Sequence, residues 1–332
     1  MHHVGSTQSA LARASAASAE ALVEASDLTK HYGSVVALEG LDLAVRAGEI
    51  VGVLGPNGAG KTTAIRVLTT ILPATRGTFA IAGIPHTRPA DIRRVVGVLP
   101  ESAGYPERQT GTGYVRYFAR LYGHGSTSAR RTASSLLEQV GLGERGDSLI
   151  ASYSRGMRQR LGIARTLVND PQVVFLDEPT LGLDPAGQRQ VLALIRTIAR
   201  ERGATVLLST HLLAEVEEVC SRVLILNRGR VAAEGTVAEI VRRAASPRTA
   251  KIRVDAEHVA RARESLRAVP GIESIAVVDE QAGALQATLD AMATDAANAG
   301  IRALLDSGVP VHLFELQGAS LSDAFLAMTE GS

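Results

Sequence analysis

A single cysteine, Cys220, excludes an internal disulfide and any cysteine-ligated metal cluster. Its Val-Cys-Ser setting after a helical run reads as a small buried hydrophobe rather than a reactive thiol. Long apolar runs are missing too. No window approaches the roughly 18 apolar residues that span a bilayer, and runs such as Val173-Val-Phe-Leu176 and Val206-Leu-Leu208 have only strand length. Charge of one sign is not in excess: 35 basic against 34 acidic residues leave a net charge of +1, which argues against a dedicated nucleic-acid binder. The start, Met1-His2-His3-Val4-Gly5 followed by Ala, Ser, Leu and Glu, lacks the basic head and compact apolar core of a secretory signal. These absences point to a chain that stays in the cytoplasm. What remains is 332 residues with a 45% hydrophobic share, enough for one large domain and a smaller one, each with its own core.

Residues 1–24 read as a mobile N-terminal extension. From 25 to 244, short apolar strands alternate with helical periods, the pattern of an α/β fold with a largely parallel sheet. Glu49-Ile-Val-Gly-Val-Leu54 is a buried strand ending in a Gly-rich turn. After the turn Ala64, Ile65, Leu68, Ile71 and Leu72 recur at helical spacing up to Pro73, and Gly77 opens a strand through Phe79 and Ile81. Between about 102 and 155 the pattern becomes helical. Tyr114, Phe118, Leu121 and Tyr122 fall on one helix face, expected to be core, and Leu136, Leu137 and Val140 continue as another helix. Strands resume at 172–177, 204–209 and 223–226. Residues 244–249 have linker composition. Beyond them the spacing predicts strand 250–255, helix 256–268, strand 272–279, strand 283–289, helix 295–307, strand 310–316 and a last helix over 320–329. That β-α-β-β-α-β order suggests a small ferredoxin-like α+β domain spanning 245–332.

Gly55-Pro56-Asn57-Gly58-Ala59-Gly60-Lys61-Thr62, followed by Thr63, fits the phosphate-binding P-loop pattern G-x-x-x-x-G-K-[ST]. It has the required strand before it and helix after it. Glycine lets backbone N–H groups curl around phosphate oxygens, and the helix N-terminus adds the positive end of its dipole. Lys61 supplies mobile positive charge to the β- and γ-phosphates, and Thr62 offers a hydroxyl to Mg²⁺. Downstream, Asp177-Glu178 ends a buried strand, where a carboxylate is costly unless something positive compensates it. Asp177 is placed to hold Mg²⁺ and Glu178 to polarise an attacking water as general base. His211 follows the 204–209 strand; such a histidine can donate to a γ-phosphate, but by itself it reads more readily as a satisfied surface or core histidine.

Across roughly 24–244 these residues resemble the nucleotide-binding subunits of ABC transporters. Tyr153-Ser-Arg-Gly-Met157, followed by Arg158-Gln-Arg-Leu161, resembles the signature motif that separates this family from other P-loop ATPases. Asp177-Glu178-Pro-Thr180 and Gly182-Leu-Asp184 resemble the Walker B end and the D-loop. The resemblance makes His211 the switch histidine, and it places Tyr32, in Lys30-His-Tyr-Gly33, where the family stacks an aromatic on adenine. It implies a head-to-tail homodimer, in which Ser154 and Gly156 of one subunit close over ATP held by the P-loop of the other. Glu101, in Val98-Leu-Pro-Glu101, stands at the loop position commonly held by glutamine, near metal and water.

Other departures are Arg155-Gly156 for the usual Gly-Gly, Met157 for glutamine, and Leu181 and Gly182 where serine and alanine are frequent. Ser320-Leu-Ser-Asp-Ala-Phe325 resembles the terminal helix of an extension recurring on bacterial drug-resistance exporters of the daunorubicin type. The extension has no catalytic constellation of its own, which suggests a dimer-stabilising or regulatory part. The implied protein is an ATP-hydrolysing exporter subunit that works with ATP and Mg²⁺, held at the cytoplasmic face of the membrane by a separate multi-span permease. The competing reading, a soluble ABC ATPase acting on ribosomes or DNA, generally has paired ATPase halves or a long coiled coil. This chain has one motif set and no heptad run.

Overall fold

A computed structural model describes residues 21–243, 248–290, 293–317 and 321–330. These fall into two compact units, the first ending at Val237 and the second beginning at Ala238, ahead of the linker expected at 244–249. Residues 1–20 of the expected extension lie outside the described residues, but Ala21–Glu24 do not belong to an extension. They open strand β1 (Ala21–Tyr32), where Val23 is fully buried.

The first unit runs β1, β2 (Val35–Arg46), β3 (Ile50–Leu54), α1 (Lys61–Leu68), β4 (Arg76–Ile81), β5 (Ile84–Pro85), α2 (Pro89–Val95) and β6 (Val96–Leu99). It continues with α3 (Gly111–Leu121), α4 (Ser126–Gln139), α5 (Arg155–Thr166), β7 (Val173–Asp177), α6 (Pro185–Arg202), β8 (Thr205–Thr210), α7 (Leu213–Val219), β9 (Arg222–Asn227) and β10 (Arg230–Thr236). Its main sheet has the order β10-β9-β3-β8-β7-β6, parallel from β9 to β6 with β10 antiparallel at one edge. A second, antiparallel sheet, β2-β1-β4-β5, was not foreseen from the strand pattern.

Side chains alternate across a strand. In β7, Val173 and Phe175 enter one core with α1 and the antiparallel sheet, while Val174 and Leu176 enter the other with α3, α4, α5 and α6. Burial on both faces is why these strands read as continuous apolar runs. The close packing has a test at Gly97 in β6, where an added Cβ would lie 2.1 Å from the backbone oxygen of Thr166. A backbone carbonyl cannot move aside cheaply, so Gly97→Ala is expected to cost about 1–3 kcal/mol or more. The midpoint of urea unfolding measures this, and an unchanged midpoint would contradict it.

Two expectations are corrected. Helix α1 ends at Leu68 rather than running to Leu72, because Thr70 takes a φ of 60° and Ile71 and Leu72 fold their N–H groups back onto Arg66 O at 2.9 and 3.0 Å. Ile71 is thereby left exposed. The aromatic stripe of α3 is core only in its first turns. Tyr114 is buried and Phe118 partly so, but Leu121 is 63% and Tyr122 45% exposed. The regular helices between 102 and 155 are α3 and α4, and α5 starts at Arg155, where the expected helical subdomain stops.

The second unit holds α8 (Val237–Arg243) from Ala238 onward, then β11 (Arg248–Val254), α9 (Val259–Arg267), β12 (Ile272–Asp279), β13 (Ala284–Leu289), α10 (Ala293–Asp306), β14 (Val311–Gln317) and α11 (Leu321–Glu330). From β11 to β14 this is the expected ferredoxin-like order, and its antiparallel sheet runs β12-β13-β11-β14. Ile252, Val254, Leu266, Leu285, Leu289 and Leu304 pack between its sheet and helices.

Candidate nucleotide-hydrolysis site

Strands β3, β8 and β7 are neighbours, with Leu54 paired to Thr210 and Asp177 to Ser209. Their carboxyl ends therefore lie level, and the three segments that follow them emerge side by side. That edge of a parallel sheet is where α/β proteins place ligands. Residues 57–63, Glu101, Glu178 and His211 line one cavity of about 500 Å³ there, with Ala37 and Leu181 completing its walls.

The loop from Gly55 is held open by its own backbone. Gly60 has a φ of 105°, and a Cβ there would lie 2.5 Å from the carbonyl oxygen of Ala37, so only glycine fits. Lys61 Nζ donates to Gly55 O at 2.7 Å and to Pro56 O at 3.3 Å. It also lies 3.4 Å from Glu178 Oε1, and both side chains are buried. The lysine is thus the positive charge that compensates a carboxylate at the strand end.

Glu178 has a φ of 49°, a conformation rare for a branched or long side chain. Local strain of this kind is retained where it aims a functional group. The second carboxylate oxygen, Oε2, meets His211 Nδ1 at 2.9 Å. Asp177 is 2% exposed, and its Oδ1 accepts hydroxyl hydrogen bonds from Thr62 at 3.0 Å and Ser209 at 2.6 Å. These offset the cost of burying the carboxylate. Ser209 Oγ also accepts from the Glu178 N–H at 3.0 Å, so one hydroxyl orients both acids. The sequence reading passed over Ser209; its only signal was a small polar residue ending an apolar strand.

Among the described residues, no three His, Cys, Asp or Glu side chains gather to cage a metal ion. A divalent cation that keeps water and binds substrate phosphates needs no such cage. The Thr62 hydroxyl and Asp177 carboxylate supply the hard oxygen donors that Mg²⁺ prefers. Bound with ATP, Mg²⁺ would neutralise charge on the phosphates.

Seven sequence-predicted residues do not line this cavity: Gly55, Pro56 and Asp177, which hydrogen-bond Lys61 and Thr62 of its wall, and Tyr32, Ser154, Gly156 and Asp184. Tyr32 stands at the tip of the β1–β2 hairpin opposite Val35, 44% exposed, with Lys30 Nζ 5.4 Å from its ring centroid. Ser154 is exposed and caps α5, accepting from Met157 N at 3.2 Å, while Gly156 lies in the first turn of that helix. Asp184 likewise caps α6, accepting from Gly187 N at 3.3 Å. Cys220 is partly buried, and desolvation, helped by Glu215, pushes its thiol up to about 12. It stays protonated, as expected of a packing cysteine.

Residues 38–181 match the family model described as ABC transporter. The chain is 38% identical over 312 residues to the daunorubicin/doxorubicin resistance ATP-binding protein DrrA of Streptomyces peucetius, covering 92% of each. A solved ATP-binding subunit of an ABC transporter superposes with a TM-score of 0.60 at 34% identity, over 67% of this chain and 92% of that one. The ATP-binding cassette MJ0796, in a dimeric post-hydrolysis state bound to ADP and Pi, superposes with a TM-score of 0.59 at 25% identity, over 64% of this chain and 98% of that one. A P-loop, a compensated pair of acids and a histidine on one sheet edge, together with likeness along nearly the whole length of a relative, lead to one conclusion: the chain belongs to the ABC transporter family, as an ATP-binding and ATP-hydrolysing subunit.

Proposed function

We propose that two copies of this chain clasp two ATP molecules head to tail and drive export of a drug or other small molecule through a separate membrane permease. One observation carries the dimer. Ser154 and Gly156 are absent from the lining of their own chain's P-loop cavity, and a Cβ on Gly156 would meet nothing within 4 Å. An exposed helix N-terminus with that clearance suits the phosphates of ATP bound to a second copy.

In this reading Lys61 and the loop N–H groups bind the β- and γ-phosphates, Thr62 and Asp177 hold Mg²⁺, and Glu101 approaches metal and water. Tyr32 stacks on adenine, and Asp184 lies on the subunit contact. Glu178 removes a proton from water as its oxygen bonds the γ-phosphorus; the bridging bond to the β-phosphate breaks and ADP leaves with the electron pair. His211 orients Glu178 and faces the γ-phosphate. The export direction and the drug class rest on the similarity to the Streptomyces resistance protein.

No described helix is long and apolar enough to cross a membrane. Attachment would therefore be peripheral, through the permease. On α3, Tyr117 and Leu121 are 54% and 63% exposed and, with Arg116 and Arg120, line a groove of about 600 Å³. An apolar strip bordered by arginines suits a polar-flanked cytoplasmic helix of the permease. The double variant Tyr117→Ser/Leu121→Glu is expected to keep basal ATP hydrolysis but no longer copurify with a coexpressed multi-span permease. Copurification at the wild-type level would refute this docking face. Light scattering of Ser154→Ala with ATP tests the dimer separately: it should stay monomeric where the wild-type chain pairs.

A further inference from the structure

The first turn of α7 contains a buried acid that the nucleotide chemistry does not use. Glu215 is 3% exposed, yet no Lys, Arg or His pairs with it among the described residues. Its Oε1 accepts the hydroxyl of Thr180 in a short hydrogen bond, and its Oε2 accepts the hydroxyl of Thr210 at 2.7 Å. Both threonines are 1% exposed or less. Thr180 follows Glu178 by two residues, and Thr210 directly precedes His211. The carboxylate thus bridges the two loops that present the acid and the histidine, which meet at 2.9 Å. Thr210 Oγ1 also accepts from Leu212 N at 3.0 Å, so the clamp reaches the start of α7 as well.

A buried carboxylate costs more than an apolar side chain of equal volume unless hydrogen bonds or positive charge offset it. Here the adjacent helix N-terminus and two hydroxyls offset that cost, and in return the loops gain a fixed register. We propose that Glu215 is a positioning residue for hydrolysis, holding the Glu178 loop and the His211 loop at the spacing their hydrogen bond requires. The proposal rests on the reading of Glu178 as base and His211 as its orienting partner.

The test compares Glu215→Leu, Glu215→Gln and Thr210→Val in the full-length chain, with and without His211→Ala. Glu215→Leu is expected to lower kcat roughly tenfold or more while the Kd for ATP stays within about twofold, because the P-loop is untouched. Glu215→Gln should recover most of the turnover, since its amide can accept from one threonine and donate to the other. Thr210→Val, which keeps the acid and removes one donor, gives an intermediate loss and serves if Glu215→Leu does not fold. Combined with His211→Ala, Glu215→Leu should cost little more. Wild-type kcat in Glu215→Leu or, should it not fold, in Thr210→Val would overturn the clamp, as would an equal loss with and without His211. If His211→Ala itself turns over normally, the histidine reading fails and the clamp with it. Normal turnover of Glu215→Leu beside an impaired His211→Ala would remove the clamp alone.

Discussion

Glu178→Gln is expected to slow ATP hydrolysis by roughly a hundredfold or more while leaving ATP bound, because it removes the proposed general base without changing shape. The glutamine oxygen can still accept from His211 or Lys61, which now lie at 2.9 and 3.4 Å from the carboxylate. Lys61 also keeps its bonds to Gly55 O and Pro56 O. The fold and the cavity should therefore survive, and a closed dimer that cannot hydrolyse its ATP should persist. Phosphate release measures the first effect, and light scattering with ATP the second. Turnover near the wild-type rate would remove Glu178 from the chemistry.

Lys61→Ala should fail in two ways at once. Losing a charged donor to the phosphates is expected to weaken ATP binding roughly ten- to a hundredfold. The same change strands Glu178, whose side chain is only 8% exposed, with His211 as its remaining partner. Breaking a buried ion pair from one side costs about 3 kcal/mol or more. The nucleotide-free protein should consequently unfold at lower urea, and adding Glu178→Gln should restore part of that stability without restoring ATP binding. If stability were unchanged by Lys61→Ala, the lysine would not be what compensates the acid.

Parts of this site could be read directly because their chemistry is local. The P-loop is a contiguous backbone device, and its glycines, lysine and threonine act within a few residues of one another. Strand β7 announced itself as an apolar run because both of its faces are buried, and Asp177-Glu178 stood out as charge where none is expected. The ferredoxin-like unit was equally legible, with helix and strand bounds within about three residues of those found.

Other features depend on distant partners. Leu121 and Tyr122 have the spacing of a core face, but periodicity cannot say that a helix outruns the layer it packs against. Thr70 ended α1 early through a backbone conformation that its residue type does not advertise. Ser209 reaches Glu178 and Asp177, and Glu215 reaches Thr180, across 31 to 35 positions, so no short window of sequence holds both ends of those bonds.

The order of residues alone marked the groups proposed to handle phosphate, metal and water: backbone amides freed by glycine, one lysine and two acids at a strand end. Which of them meet was decided by the parallel sheet, because only strand pairing sets the termini of β3, β8 and β7 level and brings Lys61, Glu178 and His211 to one cavity. Local chemistry depends on neighbours in the chain; a catalytic distance depends on neighbours in space.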